Sequence, residues 1–98
     1  MTSQAQIKLT QQGFQLSGSI VYASVSRLLK EGSSFLESYQ ETSVSISCNE
    51  VSRVDSAGIA LLIEWKRWCN NHDKKCQIIG LPMQAQSLVE TYRLQKVL

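Results

Sequence analysis

The chain has 98 residues, 43% hydrophobic and 18% charged, with 5 Gly, 1 Pro and a formal charge of +2. A chain of this length hides roughly two-thirds of its unfolded surface, enough for one core and too little for a multidomain enzyme. One domain over residues 1–98 is expected. The composition is too apolar for disorder, and the near-balanced charge lacks the dense basic stripe of a nucleic-acid binder. The longest apolar run, Ile59-Ala60-Leu61-Leu62-Ile63, is far short of the ~20 residues of a membrane span.

The polar opening Met1-Thr2-Ser3-Gln4-Ala5-Gln6 carries neither a basic region nor an apolar core of a leader, so a cytoplasmic location is expected. Cys48, Cys69 and Cys76 show no C-x-x-C spacing, which suits reduced thiols better than a disulfide framework.

Ile7-Lys8-Leu9 and Phe14 to Ile20 read as two strands joined by a turn at Gln11-Gln12-Gly13. Phe14, Leu16, Gly18 and Ile20 alternate with polar residues, the period of a sheet with one covered face. From Tyr22 to Tyr39 the period changes to three and four. Val25, Leu28, Leu29, Gly32, Leu36 and Tyr39 then share one helical face, with Gly32 weakening the middle. Ser43 to Cys48 alternates serine with Val44, Ile46 and Cys48, predicting a strand that ends before a polar segment, Asn49 to Arg53.

A second helix is predicted to start in Val54-Asp55-Ser56-Ala57-Gly58 and to run to about Asn71. At 100° per residue, Gly58, Leu61, Leu62, Trp65, Cys69 and His72 fall in one arc, the predicted buried face. Ser56, Ile59, Ala60, Ile63 and Arg67 form a second stripe pointing mostly outward, although Ile59 and Ile63 could instead flank the core. Trp65 belongs with the core, whereas Trp68 at the edge of the arc suits core or interface equally. Lys75 to Gly80 predicts another strand. Pro82 stands where a helix start tolerates it, and the third helix runs from about Met83 to Tyr92 with Ala85, Leu88, Val89 and Tyr92 inward. The tail Leu94 to Leu98 docks as a short strand or a helical turn. Strand–helix alternation after the opening hairpin implies parallel pairing.

Reaction chemistry is hard to assemble from these residues. His72 is the single histidine and no ligand spacing surrounds it, so no metal is expected. No G-x-S-x-G elbow and no glycine-rich phosphate loop occurs, so neither an enzyme nor a nucleotide cofactor is expected. The turn Asp55-Ser56-Ala57-Gly58 remains. A short oxygen-bearing side chain there caps the helix, and a hydroxyl at a helix N-terminus also favours a phosphate or an acidic group.

At this turn the sequence resembles the STAS family (sulfate transporter and anti-sigma factor antagonist). The resemblance rests on Leu16-Ser17-Gly18-Ser19, on Val54-Asp55-Ser56-Ala57-Gly58-Ile59-Ala60-Leu61-Leu62, and on the Cys76 to Leu81 segment. It implies an α/β fold with a mixed sheet of four to five strands and three or more helices. In the family's anti-sigma factor antagonists a kinase phosphorylates the serine just before the motif glycine; that position is Ala57 here, although Ser56 keeps a hydroxyl and is a possible phosphorylation site. The Mla-type branch, subunits of an ABC transporter for phospholipids in Gram-negative bacteria, reads D-T-G-G-L-A-L-L after S-R-V-D. Ser52-Arg53-Val54-Asp55 and the Ala60-Leu61-Leu62 run follow it more closely.

That branch implies a non-catalytic accessory subunit that binds the transporter's ATPase and supports its assembly or activity in maintaining outer-membrane lipid asymmetry. It would meet the inner membrane only through the complex. The expected partner-binding residues are Asp55, Ser56, Ala57, Gly58, Ile59, Ala60, Ile63 and Arg67. The alternative is an anti-sigma factor antagonist in a partner-switching pathway; outside the family, a small-ligand sensor using Asp55, Ser56 and nearby amides is the remaining option.

Overall fold

In a computed structural model, residues 4–98 are described; Met1-Thr2-Ser3, the start of the polar opening, lies outside them. The elements are β1 (Gln6–Leu9), β2 (Gly13–Ile20), α1 (Tyr22–Ser38), β3 (Ser43–Val54), α2 (Ser56–Asn71), β4 (Lys75–Ile79) and α3 (Met83–Thr91). The strands form one sheet in the order β1-β2-β3-β4. The β1–β2 hairpin is antiparallel, while β2–β3 and β3–β4 are parallel. Each parallel step is bridged by a helix, α1 and then α2, because parallel strands need a long crossover. This is the mixed α/β sheet with three helices that the sequence implies.

The strand β3 is longer than its alternation predicts, since Asn49 to Arg53 continue it rather than leave it. Its buried residues are Val44, Ile46, Cys48, Val51 and Val54, at steps of two, two, three and three. Two register shifts against β2 explain the change. Gln15 and Ser17 oppose Ser47 and Glu50, and Gly18 and Ser19 oppose Val51 and Arg53. Each shift inserts one extra residue in β3, a β-bulge, which breaks the period-two pattern while keeping the apolar side chains on one face.

That face carries the core. Phe14, Leu16, Ile20, Ile46 and Val54 from the sheet meet Leu28 and Leu36 of α1 and Leu62 and Trp65 of α2, all buried. Trp65 packs edge-on against Phe14, ring centroids 5.1 Å apart. Across from it, a Cβ at Gly32 would stand 2.8 Å from Trp65 Cε2. The glycine that costs α1 helix propensity therefore lets the indole seat between the helices. The tail closes as a helical turn, with Val97 N and Leu98 N both donating to Leu94 O.

Three positions placed inward by the helical projections are exposed. His72 follows the last residue of α2 as its C-cap (φ −117°, ψ 23°) and no longer obeys the helical wheel; its ring stacks on half-buried Trp68, 3.9 Å between centroids. Tyr92 is likewise the C-cap of α3 and is exposed. Leu29 lies about 100° from Leu28 on the wheel, and only Leu28 reaches the core.

Candidate functional site

The β3–α2 turn holds two helices by one carboxylate. Asp55 is the N-cap of α2, its Oδ1 accepting from Gly58 N at 2.9 Å. Its Oδ2 accepts from Tyr22 N, the first residue of α1, at 3.0 Å. Both N–H donors are among those a helix leaves unsatisfied at its start, and both helix dipoles favour a negative charge there. The sequence reading found the capping role but not the clamp on α1, since the partner lies 33 residues away and donates from its backbone.

Gly58 is buried because the start of α2 presses onto the end of β2. A Cβ there would overlap Ile20 O and lie 2.7 Å from Val54 Cγ1. Next to this seat Ser56 is exposed, Ala57 half-buried and Ala60 exposed. Asp55 and Gly58 thus set the shape of the turn, while Ser56, Ala57 and Ala60 are what it presents.

The outward stripe expected of α2 divides. Ile59 is 2% exposed and belongs to the core; with buried Gly58 it offers no contact surface, contrary to the sequence expectation. Its flank of α2 is the one the tail covers, as Lys66, two turns further along that flank, donates to Leu98 O at 2.9 Å. Ile63 is half-buried and Arg67 is exposed, its Nη1 donating to Glu64 Oε1 at 2.7 Å. The remaining residues form a ridge between two grooves.

One groove, about 440 Å³, runs between α2 and α1 and is lined by Tyr22, Val25, Leu29, Ala57, Ala60 and Leu61 among others. Tyr22 is 83% exposed at its mouth. This wall from α1 was missed because the projection of that helix put Leu29 inward and left Tyr22 as a boundary residue. The other groove, about 780 Å³, lies on the opposite flank of α2, against the starts of β3 and β4 and the tail, and holds Ile63 and Arg67.

The three cysteines lack the surroundings of a nucleophile, since burial raises the pKa of each. Burial pushes the Cys48 thiol up to about 12; burial, with Cys69 beside it, pushes Cys76 up to about 12. Such thiols stay protonated and unreactive near neutrality. Among the described residues no three His, Cys, Asp or Glu side chains cluster as metal ligands, and no helix is long and apolar enough to cross a membrane.

The family model described as "Mlab, STAS domain" matches residues 3–98. The chain belongs to the STAS family. No curated protein matches it. Among solved structures, the anti-sigma factor antagonist SpoIIAA in its unphosphorylated form is similar at 14% identity and a TM-score of 0.73, covering 93% of this chain and 82% of that one. A STAS domain of an antisigma-factor antagonist from Rhodobacter sphaeroides is similar at 15% identity and a TM-score of 0.53, covering 81% and 87%. STAS domains are non-catalytic binding domains that mediate protein–protein interactions.

Proposed function

We propose that this STAS domain is an accessory subunit on the cytoplasmic side of an ABC phospholipid transporter, where it binds the ATPase subunit and supports the assembly or activity of the complex. The observation that carries the reading is the apolar groove opening directly beside the Asp55–Gly58 turn. Tyr22, Leu29 and Ala60 line it and are exposed, and an aromatic anchor next to an apolar cleft is the arrangement protein interfaces use. The likeness of Ser52 to Leu62 to the Mla-type motif supports an ABC ATPase as that partner. Ala57 lacks the hydroxyl that a phosphorylation switch would use. Ser56 offers one hydrogen-bonding group at the positive end of α2, Ile63 adds apolar area along the ridge, and Arg67 orients the partner at the rim.

The test is affinity capture of the tagged protein from its native host, with Ser56→Trp alongside. An ABC ATPase is expected with the wild type and is lost with Ser56→Trp, because the bulky ring stands on an exposed position and blocks the seat without disturbing the fold. Recovery of a sigma-regulating kinase instead, or of the ATPase at full yield with the variant, refutes the assignment.

The second reading, an anti-sigma factor antagonist regulated by serine phosphorylation, draws on the likeness to SpoIIAA and on exposed Ser56. A phosphate there would gain from the helix N-terminus but stand beside the Asp55 carboxylate, which opposes it. Phosphopeptide mapping after incubation with a cognate kinase separates the two: modification at Ser56 favours the switch.

A further inference from the structure

The two grooves beside α2 differ in charge. Lys66, Arg67, Lys74 and Lys96 line the larger one, about 780 Å³, and among the described residues no carboxylate lines it. Lys75 is left out of this set, because along β4 Cys76 and Ile78 turn toward the core and Lys75 to the opposite face of the sheet. On the helix wall stand Ile63, Lys66, Arg67 and Asn70. Their spacing confines them to an arc of about 100°, in which neighbours three and four apart lie about 5–6 Å from each other at Cβ. Lys66 is half-buried and its Nζ donates to Leu98 O at 2.9 Å. Burial raises the thiol pKa of Cys76, on the strand opposite, and the charge of Lys66 acts across the groove to lower it.

The tail supplies the other wall, with Lys96 and Val97 both exposed. Lys74 donates to Tyr39 O and Glu41 O, so it adds field and not contact. Arg67 meets Glu64 in an exposed pair, which stabilises little and yields readily to a better anion. Like charges in a concavity with no opposing group concentrate the potential there. The negative end of the α2 dipole falls at Asn71, but its effect is confined to the last turn, and Lys66 and Arg67 stand before it. A carboxylate is planar and pairs with one fork of donors. A phosphate monoester carries about −1.5 to −2 charge and three outer oxygens, which suits cations arriving from two walls. The groove's volume lies in the range of about 300–1,000 Å³ that small-molecule sites occupy.

We propose that this groove binds a phosphate monoester, its phosphate held between Lys66 and Arg67 of α2 and Lys96 of the tail. Asn70 donates from its side-chain amide, and the organic remainder rests on Ile63 and Val97. A soluble ester and the headgroup of an anionic lipid present the same chemistry. Ser56 lies about 15 Å along α2 from Lys66, so binding here does not depend on which partner meets that turn.

The experiment titrates the full chain with glycerol 3-phosphate, followed by amide chemical shifts at about 0.1 M salt, where the Debye length is about 10 Å. Sedimentation with phosphatidylcholine vesicles containing phosphatidic acid runs alongside. Binding to at least one probe is expected, with saturable shifts at Ile63–Asn70, Cys76 and Lys96–Val97 for the soluble ester; glycerol, which lacks the phosphate, gives none. Arg67→Gln with Lys96→Gln, both exposed, weakens binding about tenfold at unchanged thermal stability, as two lost exposed charge contacts imply. Lys8→Gln with Lys30→Gln removes the same charge from exposed positions outside the groove and leaves binding unchanged. Sedimentation that depends on Arg67 and Lys96 assigns a lipid headgroup as the source of the phosphate, and glycerol 3-phosphate binding without sedimentation assigns a soluble ester. No binding to either probe, shifts confined to other residues, or an equal loss with the Lys8 and Lys30 pair overturns the proposal. Ser56→Trp retains ligand binding, so failure at the ATPase site and failure here are distinguishable.

Discussion

Removing the Asp55 side chain by Asp55→Ala strips the acceptor from two helices at once. The lost contacts are the Oδ1 bond from Gly58 N at 2.9 Å and the Oδ2 bond from Tyr22 N at 3.0 Å. Loss of an N-cap costs about 1 kcal/mol, and the second bond to a charged acceptor is worth about 1.5 kcal/mol or more, giving a total of about 2–3 kcal/mol. For a domain of this size that lowers Tm by roughly 10–20 °C. Asp55→Asn keeps one acceptor oxygen and sets its NH₂ against the other N–H donor, so it recovers only part of the loss. Urea denaturation followed by circular dichroism measures both variants. If Asp55→Ala lies within about 0.5 kcal/mol of wild type, the ordinary range for a surface change, the clamp contributes nothing and the account of the turn is wrong.

Gly32→Ala is expected to destabilise by about 1 kcal/mol, the cost of overpacking against buried Trp65 exceeding the gain in helix propensity; a raised Tm in thermal denaturation would show that the indole yields. Cys48 has its pKa raised from 9.0 to about 12 in the fold. The unfolded thiol therefore loses its proton first: this contribution is whole below pH 9 and falls by about 1.4 kcal/mol per pH unit as pH rises toward 12. Urea titrations across that window should show a shallower decline for Cys48→Ala than for wild type. If the proposed ATPase partner is right, Arg67→Glu weakens its capture, with an effect that shrinks as salt rises; equal affinity across ionic strengths in a binding titration removes Arg67 from the proposed interface.

The element order was legible because period two and period three-to-four are written into Phe14–Ile20, Ser43–Cys48 and Ser56–Asn71. The second half of β3 was not, since its bulges turn the apolar step from two to three, a spacing that imitates neither a strand nor a full helical face. Asp55 was readable as a cap from its neighbours in sequence. Its hold on Tyr22 was not, because a backbone N–H leaves no mark on residue type.

Local periodicity, short oxygen-bearing side chains before a helix and the motif from Ser52 to Leu62 are properties of neighbouring residues, and the amino-acid order alone determines them. Which side of α2 meets solvent depends on residues far along the chain. The tail's bond to Lys66 marks the flank on which Ile59 is buried, α1 supplies Tyr22 to the wall beside Ala60, and the start of β4 with the residue before it places Lys75 and Lys74 in one groove with Lys66 and Arg67. A helix presents its stripes symmetrically until packing covers some of them, so only the tertiary structure could divide the outward face of α2 into an apolar groove and a cationic one.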